Sequence, residues 1–315
     1  MMGYSDRHAR MLMRIISPNC LLFTEMVVAS ALIMGDSERL LRHYDDDPCA
    51  LQLGGSDPGK LAEAAKIGEQ AGYQEINLNV GCPSDRVQQG AIGACLMAEP
   101  NLVADCVTVM QAATAIPVTV KCRIGIDDQD SFEHFSKFVE TVQNGGCDTF
   151  YVHARAAWLS GLSPKENREI PPLKYDYVTE IQKMHTNSTF ILNGGINTAA
   201  EALSHIETYP GVMIGRAIYK EPYMLAELES ALYQRPLPDR RDIIEQYLEY
   251  GRSQSDHPRY LLKHLLSLFT NRPGARHYRR YLSEHMNQPD ASLDIIYAAL
   301  AAGNVAEPEL QHANA

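Results

Sequence analysis

The stretch EINLNVGCPSD, residues 75–85, predicts a β-strand over Glu75–Val80 that enters a loop at Gly81. Helix-period segments flank this strand, at Pro58–Ala71 before it and at Pro100–Ala113 after it. The same alternation continues almost to residue 230. Six further strands are predicted, at Leu21–Val27, Ala50–Leu53, Pro117–Lys121, Thr149–His153, Thr189–Leu192 and Gly211–Ile214. Alternating strands and helices indicate a parallel sheet covered by helices, so the predicted fold class is α/β.

The strand count is one short of the eight that a TIM (β/α)8 barrel requires. Ser5 is a candidate helix N-cap and the helical pattern continues through Arg10–Ile16, so a strand should precede this helix. The chain nevertheless begins at Met1. We therefore expect a TIM barrel whose first strand is missing or truncated, with the start codon assigned too late. The alternative is an open seven-stranded sheet.

A domain boundary is predicted at residues 233–241, YQRPLPDRR, which hold two prolines and four charged residues. Beyond it the pattern is purely helical. The predicted helices are Arg241–Gly251, Pro258–Thr270, Pro273–Met286 and Ala291–Ala302. We expect a barrel domain over residues 1–235, an all-α helical domain over 240–303 and a flexible tail over 304–315.

Composition excludes several classes of protein. The apolar stretch Cys20–Met34 is interrupted by polar residues and is shorter than the ~20 residues of a membrane-spanning helix. The seven cysteines include no C-x-x-C pair and no zinc spacing, which is typical of a reduced, cytoplasmic protein without a metal site. The net charge of −11 disfavours a nucleic-acid partner, yet Arg252–Tyr281 carries seven Lys or Arg and one acid, Asp256.

Polar residues stand at the ends of nearly all the predicted strands, and in a parallel barrel these ends bind the ligand. They are Gln52, Asn79, Lys121, His153, Asn193-Gly194-Gly195 and Gly215-Arg216. The two glycine turns and Arg216 favour a phosphate, although both turns could equally be ordinary left-handed turns. Lys121 could face an anionic ligand or form a structural ion pair, and His153 could contact a ligand or fill the core.

Cys82 lies in a long loop and is a candidate general acid, because a thiol is mostly protonated at neutral pH. The alternative is a small buried cysteine. A second long loop, residues 154–172, carries Lys165 and Arg168 and could overhang a ligand. In the C-terminal helices, one helical face carries a basic stripe formed by Arg276, Arg279 and Arg280. This stripe is suited to binding phosphates, and the alternative is a face that only contacts solvent.

Taken together, these segments resemble the flavin-dependent tRNA-dihydrouridine synthases over nearly the whole chain. The segments that carry the resemblance are MMGYSD at 1–6, LQLGG at 51–55, NLNVGCP at 77–83, VKCRIG at 120–125 and VHAR at 152–155. The segment NREIPPL at 167–173 is similar to the subfamily that modifies positions 20 and 20a of the tRNA D-loop. One departure is the family's strand ending Ala-Pro-Met, which is absent before Gly3.

The resemblance implies an FMN-binding TIM barrel followed by a helical tRNA-binding domain, in a cytoplasmic monomer. Met1 and Met2 would lie over the flavin ring. The flavin would be contacted by Gln52, Lys121 and His153, and its phosphate would be held by Asn193, Gly194, Gly195, Gly215 and Arg216. The tRNA would be bound by Asn79 at the target nucleotide and by Lys165, Arg168, Arg276, Arg279 and Arg280.

The implied reaction is the reduction of a flipped-out uridine to 5,6-dihydrouridine. NADPH would reduce the flavin, hydride would go to carbon 6 of uracil, and Cys82 would protonate carbon 5. NADH as reductant stays open, and no G-x-G-x-x-G follows a strand to form a separate nicotinamide site. Two alternatives also stay open: an FMN-dependent reductase of free pyrimidines, and a tRNA-binding protein that has lost catalysis.

Overall fold

The computed structural model describes residues 1–44 and 46–305, and it divides the chain into two compact units. The first contains residues 1–5 and 21–214, and the second contains residues 6–20 and the part of the chain that follows residue 214. Among the described residues, no helix combines the length and the apolar character that crossing a bilayer demands. All seven cysteines are free thiols.

The first unit is built on a parallel sheet, as the alternating pattern predicted. Its strands are β1 Leu22–Phe23, β2 Val27–Val28, β3 Cys49–Gly54, β4 Glu75–Val80, β5 Val118–Arg123, β6 Thr149–His153, β7 Thr189–Asn193 and β8 Val212–Met213. They follow one another in the order β1-β3-β4-β5-β6-β7-β8, with β2 also paired to β3. The α/β fold class is confirmed, and the sheet supplies seven of the eight positions of the expected barrel.

The first predicted strand, Leu21–Val27, is divided into β1 and β2. Phe23 pairs with Ala50 and Val27 with Leu53, so four steps along one strand oppose three along the other. One extra residue is therefore accommodated as a bulge, and the Thr24 hydroxyl accepts a hydrogen bond from the Gln52 N–H at 3.0 Å. In the described part of the chain, β8 pairs with β7 alone, which leaves the sheet open beside β8.

Fifteen α-helices are described, numbered in chain order across both units. They are α1 Arg7–Ile16, α2 Ala29–Met34, α3 Ser37–Leu40, α4 Pro58–Gln70, α5 Asp85–Gln89, α6 Pro100–Ala113, α7 Phe132–Asn144, α8 Tyr175–Met184, α9 Ala199–Ile206, α10 Arg216–Lys220, α11 Met224–Tyr233, α12 Arg240–Arg252, α13 Arg259–Leu262, α14 Ala275–His285 and α15 Ile295–Gly303. Short 3-10 helices cover Gly93–Ala98 and Glu166–Arg168. In the first unit, α4 packs against α6 and α6 against α7.

The sheet has one polar and one apolar side, because successive side chains of a strand point to opposite faces. In β4 the apolar residues Ile76, Leu78 and Val80 alternate with Glu75, Asn77 and Asn79, and all six are buried. The register continues the polar side into both neighbours, since Asn77 pairs with Gln52 and with Thr119. A buried row of carboxamides and hydroxyls therefore lines one face of the sheet.

The second unit is helical. Its core joins α1 to the C-terminal helices through large buried side chains, among them Leu12, Ile16, Tyr247, Phe269 and Tyr278. Because α1 and α11 contribute to this core, the division after residue 214 precedes the boundary expected at 235–240. The expected tail, 304–315, falls outside the described residues from position 306 onward.

One predicted helix is shorter than expected. Pro258–Thr270 forms a four-residue α-helix, α13, and then a series of turns. The N–H groups of His264, Leu265 and Leu268 donate to carbonyl groups three residues back, a tighter winding than the α-helix. This winding accompanies the burial of four leucines and Phe269 in the core of the unit.

Candidate active site

The strand ends bring five of the predicted ligand-binding residues to one edge of the sheet. In the register, Asn79 pairs with Lys121, and His153 pairs with Asn193. Direct hydrogen bonds join two pairs of these residues: Asn79 Nδ2 donates to Gln52 Oε1 at 2.8 Å, and Lys121 Nζ donates to Asn193 Oδ1 at 3.0 Å. Asn193 in turn donates from Nδ2 to the carbonyl oxygen of Met213 at 2.7 Å. These side chains therefore share one edge of the sheet, as the order of the strands predicts.

Lys121 is the positive charge of this edge. It is partly buried, and it donates a hydrogen bond to a neutral carboxamide oxygen rather than to a carboxylate. Burial, assisted by the nearby Arg123 guanidinium, lowers the pKa of Lys121 to about 8. A buried ammonium group that contacts a neutral partner favours an electron-rich or anionic ligand. Such a ligand replaces the stabilisation of the charge that water would otherwise provide. A carboxylate ion pair, the structural alternative for Lys121, is not formed among the described residues.

The loop that carries Cys82 is anchored to the end of β4. Asn79 Oδ1 accepts hydrogen bonds from the N–H groups of Gly81 at 3.1 Å and Cys82 at 3.0 Å. The Cys82 carbonyl accepts from the Ala94 N–H at 2.9 Å. The thiol is half-buried, and its Sγ lies 3.7 Å from Ser84 Oγ. The Cys82 backbone is thus held at both its N–H and its carbonyl, which suits a positioned proton donor.

Arg123, which sequence reasoning passed over, joins the two long loops. It is 3% exposed. Its Nε donates to the Gly81 carbonyl at 3.0 Å, and its Nη1 donates to the carbonyl oxygens of Ala156 and Asn167 at 2.9 Å each. Burial lowers the pKa of Arg123 to about 10. The sequence feature that could have pointed to Arg123 is its position two residues after Lys121 in the same strand. This spacing places both side chains on one face of the sheet.

The glycine turn after β7 is tightly packed. Gly194 and Gly195 have φ values of +107° and +76°. A methyl group at Gly194 would approach the His153 ring to 3.2 Å, and one at Gly195 would lie 2.5 Å from Leu173 Cδ1. The turn leads into α9, where Thr198 and Glu201 form a reciprocal cap. Helix N-termini after glycine turns bind phosphate, so this segment fits that role.

The remaining predicted residues belong to the N-terminus, to the 154–172 loop and to the second unit. Met1 and Met2 are exposed in an N-terminal turn, in which the Gly3 N–H donates to the Glu25 carboxylate. Lys165 is exposed and Arg168 half-buried in the 154–172 loop. The predicted phosphate residues Gly215 and Arg216 belong to the second unit.

The basic stripe of α14 is solvent-exposed on Arg276, Arg279 and Arg280, whereas Tyr278 and Leu282 of the same helix are buried. The basic face predicted from the sequence is therefore exposed to solvent. Arg280 forms an ion pair with Glu284 at 2.9 Å, so one of the three charges has an acidic partner.

Comparisons with known proteins match this chain along nearly all of its length. The sequence profile of the family described as "Dihydrouridine synthase (Dus)" matches residues 1–302. The tRNA-dihydrouridine(20/20a) synthase of Vibrio cholerae serotype O1 is 49% identical over 307 residues, covering 96% of this chain and 94% of that protein. Its counterparts from Xanthomonas campestris pv. campestris and Shigella flexneri are 49% and 47% identical, each covering 95% of this chain and 90% of their own. The chain therefore belongs to the dihydrouridine synthase family of oxidoreductases.

Proposed function

We propose that this chain reduces uridines 20 and 20a in the D-loop of tRNA to 5,6-dihydrouridine, with FMN as cofactor and NADPH as reductant. The relatives that carry this activity in their names support the substrate and the positions. The observation that carries the proposal is a pair of hydrogen bonds at neighbouring strand ends, Asn79 to Gln52 and Lys121 to Asn193. Asn79 also anchors the Cys82 loop.

The residues present fit FMN. Lys121, Gln52 and His153 offer the ammonium, carboxamide and imidazole groups that the polar edge of an isoalloxazine ring requires. The left-handed turn at Gly194 and Gly195, which leads into the N-terminus of α9, fits a phosphate. Asn193, Gly215 and Arg216 complete the set of residues proposed to bind the phosphate. Met1 and Met2 are proposed to lie over the flavin ring. When bound, FMN supplies the hydride for carbon 6 of uracil.

The chain itself supplies the proton and the positioning. Cys82 donates the proton to carbon 5, since its loop is held on both sides by backbone hydrogen bonds. Asn79 retains a second Nδ2 hydrogen beyond its bond to Gln52, and this group orients the base. The tRNA backbone is bound by Lys165 and Arg168 of the 154–172 loop and by Arg276, Arg279 and Arg280 of α14. The enzyme acts in the cytoplasm as a monomer.

The proposal is tested with the purified full chain, FMN, NADPH and either a tRNA transcript or free pyrimidines. We expect dihydrouridine in the transcript, a yellow flavoprotein and no turnover of free uracil or orotate. Turnover of free pyrimidine without tRNA would identify a different FMN-dependent reductase. A colourless protein that binds tRNA with strong salt dependence and converts none of it would identify an RNA-binding protein without catalysis.

A further inference from the structure

A chain of hydrogen bonds crosses the polar face of the sheet and ends on a buried carboxyl group, Glu75. Thr119 Oγ1 donates to Glu75 Oε1 at 2.6 Å, and Tyr151 Oη donates to Oε2 at 3.0 Å. Asn77 Nδ2 donates to Thr119 Oγ1 at 2.8 Å. Glu75 lies at the start of β4, and neither its position in the sequence nor the proposed chemistry assigns it a role.

The same chain continues to the catalytic edge. Gln52 Nε2 donates to Asn77 Oδ1 at 2.9 Å, and Asn79 Nδ2 donates to Gln52 Oε1 at 2.8 Å. Asn79 Oδ1 then accepts from the backbone N–H groups of Gly81 and Cys82. The links are all buried, with Asn77 fully enclosed and Thr119 1% exposed. Every carboxamide between Glu75 and Cys82 therefore has both of its ends in use.

The direction of every bond in this chain is set from both ends. Backbone N–H groups can only donate, so the oxygen of Asn79 must face Cys82 and its NH2 group must face Gln52. Gln52 must then accept from Asn79 with its oxygen and donate to Asn77 with its NH2 group, and Asn77 must donate to Thr119 in the same way. The Thr119 hydroxyl is left to donate to Glu75. At the other end, a carboxylate can only accept, which demands the same direction. Two independent ends thus fix the same orientation for three carboxamides.

We infer that Thr119 and Glu75 are positioning residues for this active site. They act through Asn77, fixing the carboxamide of Gln52 that is proposed to contact the flavin and that of Asn79, which holds the Cys82 loop. The flavin part of this inference rests on the proposed function, whereas the loop part does not. An amide that has lost one hydrogen-bond partner can rotate or flip. Removing the Thr119 hydroxyl from this series of hydrogen bonds therefore loosens both carboxamides.

The Thr119 hydroxyl is tested by two opposed substitutions. Thr119→Val keeps the volume and removes the hydroxyl, whereas Thr119→Ser keeps the hydroxyl and removes a methyl group. We expect Thr119→Val to weaken FMN binding about fivefold, the factor that one hydrogen bond of ordinary net strength corresponds to, and Thr119→Ser to stay within about twofold. A pure packing role reverses this order. Tyr151→Phe is the matched control, since it removes a donor to Glu75 and leaves the chain to Cys82 intact.

A double substitution separates positioning from general damage. If Thr119 acts through Gln52, Thr119→Val has less than about a twofold effect on FMN binding once Gln52 is replaced by Ala. Equal effects in both backgrounds would overturn the inference. A Gln52→Ala variant with unchanged FMN affinity would instead contradict the proposed flavin contact of Gln52, so the two failures can be told apart.

Hydrogen exchange of the Gly81 and Cys82 amides in the full chain tests the loop part without reference to flavin. We expect at least about a threefold faster exchange in Thr119→Val than in Thr119→Ser. Equal exchange in the two variants, with unfolding temperatures matched to within a few degrees, would show that Asn79 is held without the chain and would overturn the inference.

Discussion

Arg123 Nε donates to the carbonyl oxygen of Gly81 at 3.0 Å, so a buried guanidinium holds the residue that precedes Cys82. The same side chain bonds to the backbone of Ala156 and Asn167 in the second long loop. One strand residue therefore fixes two loops that are far apart in the sequence. This relationship makes the position of Cys82 depend on a residue that has no part in the proposed proton transfer.

Replacing Arg123 by Met should cost about 2–4 kcal/mol of unfolding free energy, because three carbonyl groups lose their charged donor. Turnover should fall at least about tenfold with FMN still bound. Denaturant titration and single-turnover dihydrouridine formation measure the two effects. Arg39→Met is the control, since Arg39 is exposed and forms an ion pair with nearby Asp36; it should change stability by less than about 0.5 kcal/mol.

Cys82→Ala should keep FMN and tRNA binding and lose at least about 100-fold in the rate of dihydrouridine formation, the usual contribution of a general acid. Cys95→Ala is the matched control, because Cys95 is also half-buried and donates to the carbonyl oxygen of Ile92, a residue without a proposed role. Rapid-quench kinetics on a tRNA transcript give the rates. An unchanged single-turnover rate in Cys82→Ala would remove Cys82 from the role of proton donor.

The pKa of Lys121, lowered by burial to about 8, predicts pH-dependent cofactor binding. Below pH 8 the ammonium is charged and donates a charge-assisted hydrogen bond, and above pH 8 it is neutral. FMN affinity should therefore fall about tenfold between pH 7 and pH 10 in the native chain and stay flat in Lys121→Met. Fluorescence titration measures it, with the exposed Lys60→Met as control. Parallel curves for the native chain and Lys121→Met would contradict the contact.

His8 should control stability in mild acid. Burial, reinforced by the Arg7 charge, lowers the pKa of His8 to about 4, and its ring bonds to the Tyr250 hydroxyl at 2.8 Å. A lowered histidine pKa gives stability that is complete above pH 6.5 and is lost as the pH falls towards 4. The unfolding free energy of the native chain should drop by about 3 kcal/mol more over this window than that of His8→Gln. The unfolding free energies come from urea titrations at pH 7, 5.5 and 4. The same dependence on pH in the native chain and in His8→Gln would refute this.

Gly195→Ala should destabilise the protein by about 1–3 kcal/mol and weaken FMN binding. Gly195 has a φ of +76°, and an added methyl group would lie 2.5 Å from Leu173 Cδ1 and 2.6 Å from Tyr175 Oη. Gly59→Ala is the matched control, since Gly59 lies in α4 and its added methyl group would meet nothing closer than 3.5 Å. Thermal unfolding and FMN titration report both effects. Equal melting temperatures for the two variants would show that the turn tolerates a side chain.

Local patterns were sufficient to predict the sheet and the grouping of polar side chains at one of its edges. Strand Glu75–Val80 and helix Pro100–Ala113 begin and end where the periodicity placed them. Parallel strands that end at one edge made the grouping of Gln52, Asn79, Lys121 and Asn193 predictable. These features depend on neighbours close in sequence or on the general geometry of parallel sheets.

Long-range partners were beyond the sequence. The role of Arg123 depends on carbonyl groups in two loops, 42 and 44 residues distant from it on either side. The bulge that separates β1 from β2 is set by pairing with β3 rather than by a glycine or proline. The place of α1 in the second unit follows from Leu12 and Ile16 packing among helices that come more than 200 residues later. A single sequence offers no local signal for such pairings.

Mapping dihydrouridine in tRNA from a strain that lacks this gene, with and without the gene restored, shows whether this chain modifies positions 20 and 20a. We expect loss of dihydrouridine confined to positions 20 and 20a, with recovery by the native chain and by Cys95→Ala but not by Cys82→Ala. Unchanged dihydrouridine at both positions in the strain without the gene, or full recovery by Cys82→Ala, would contradict it.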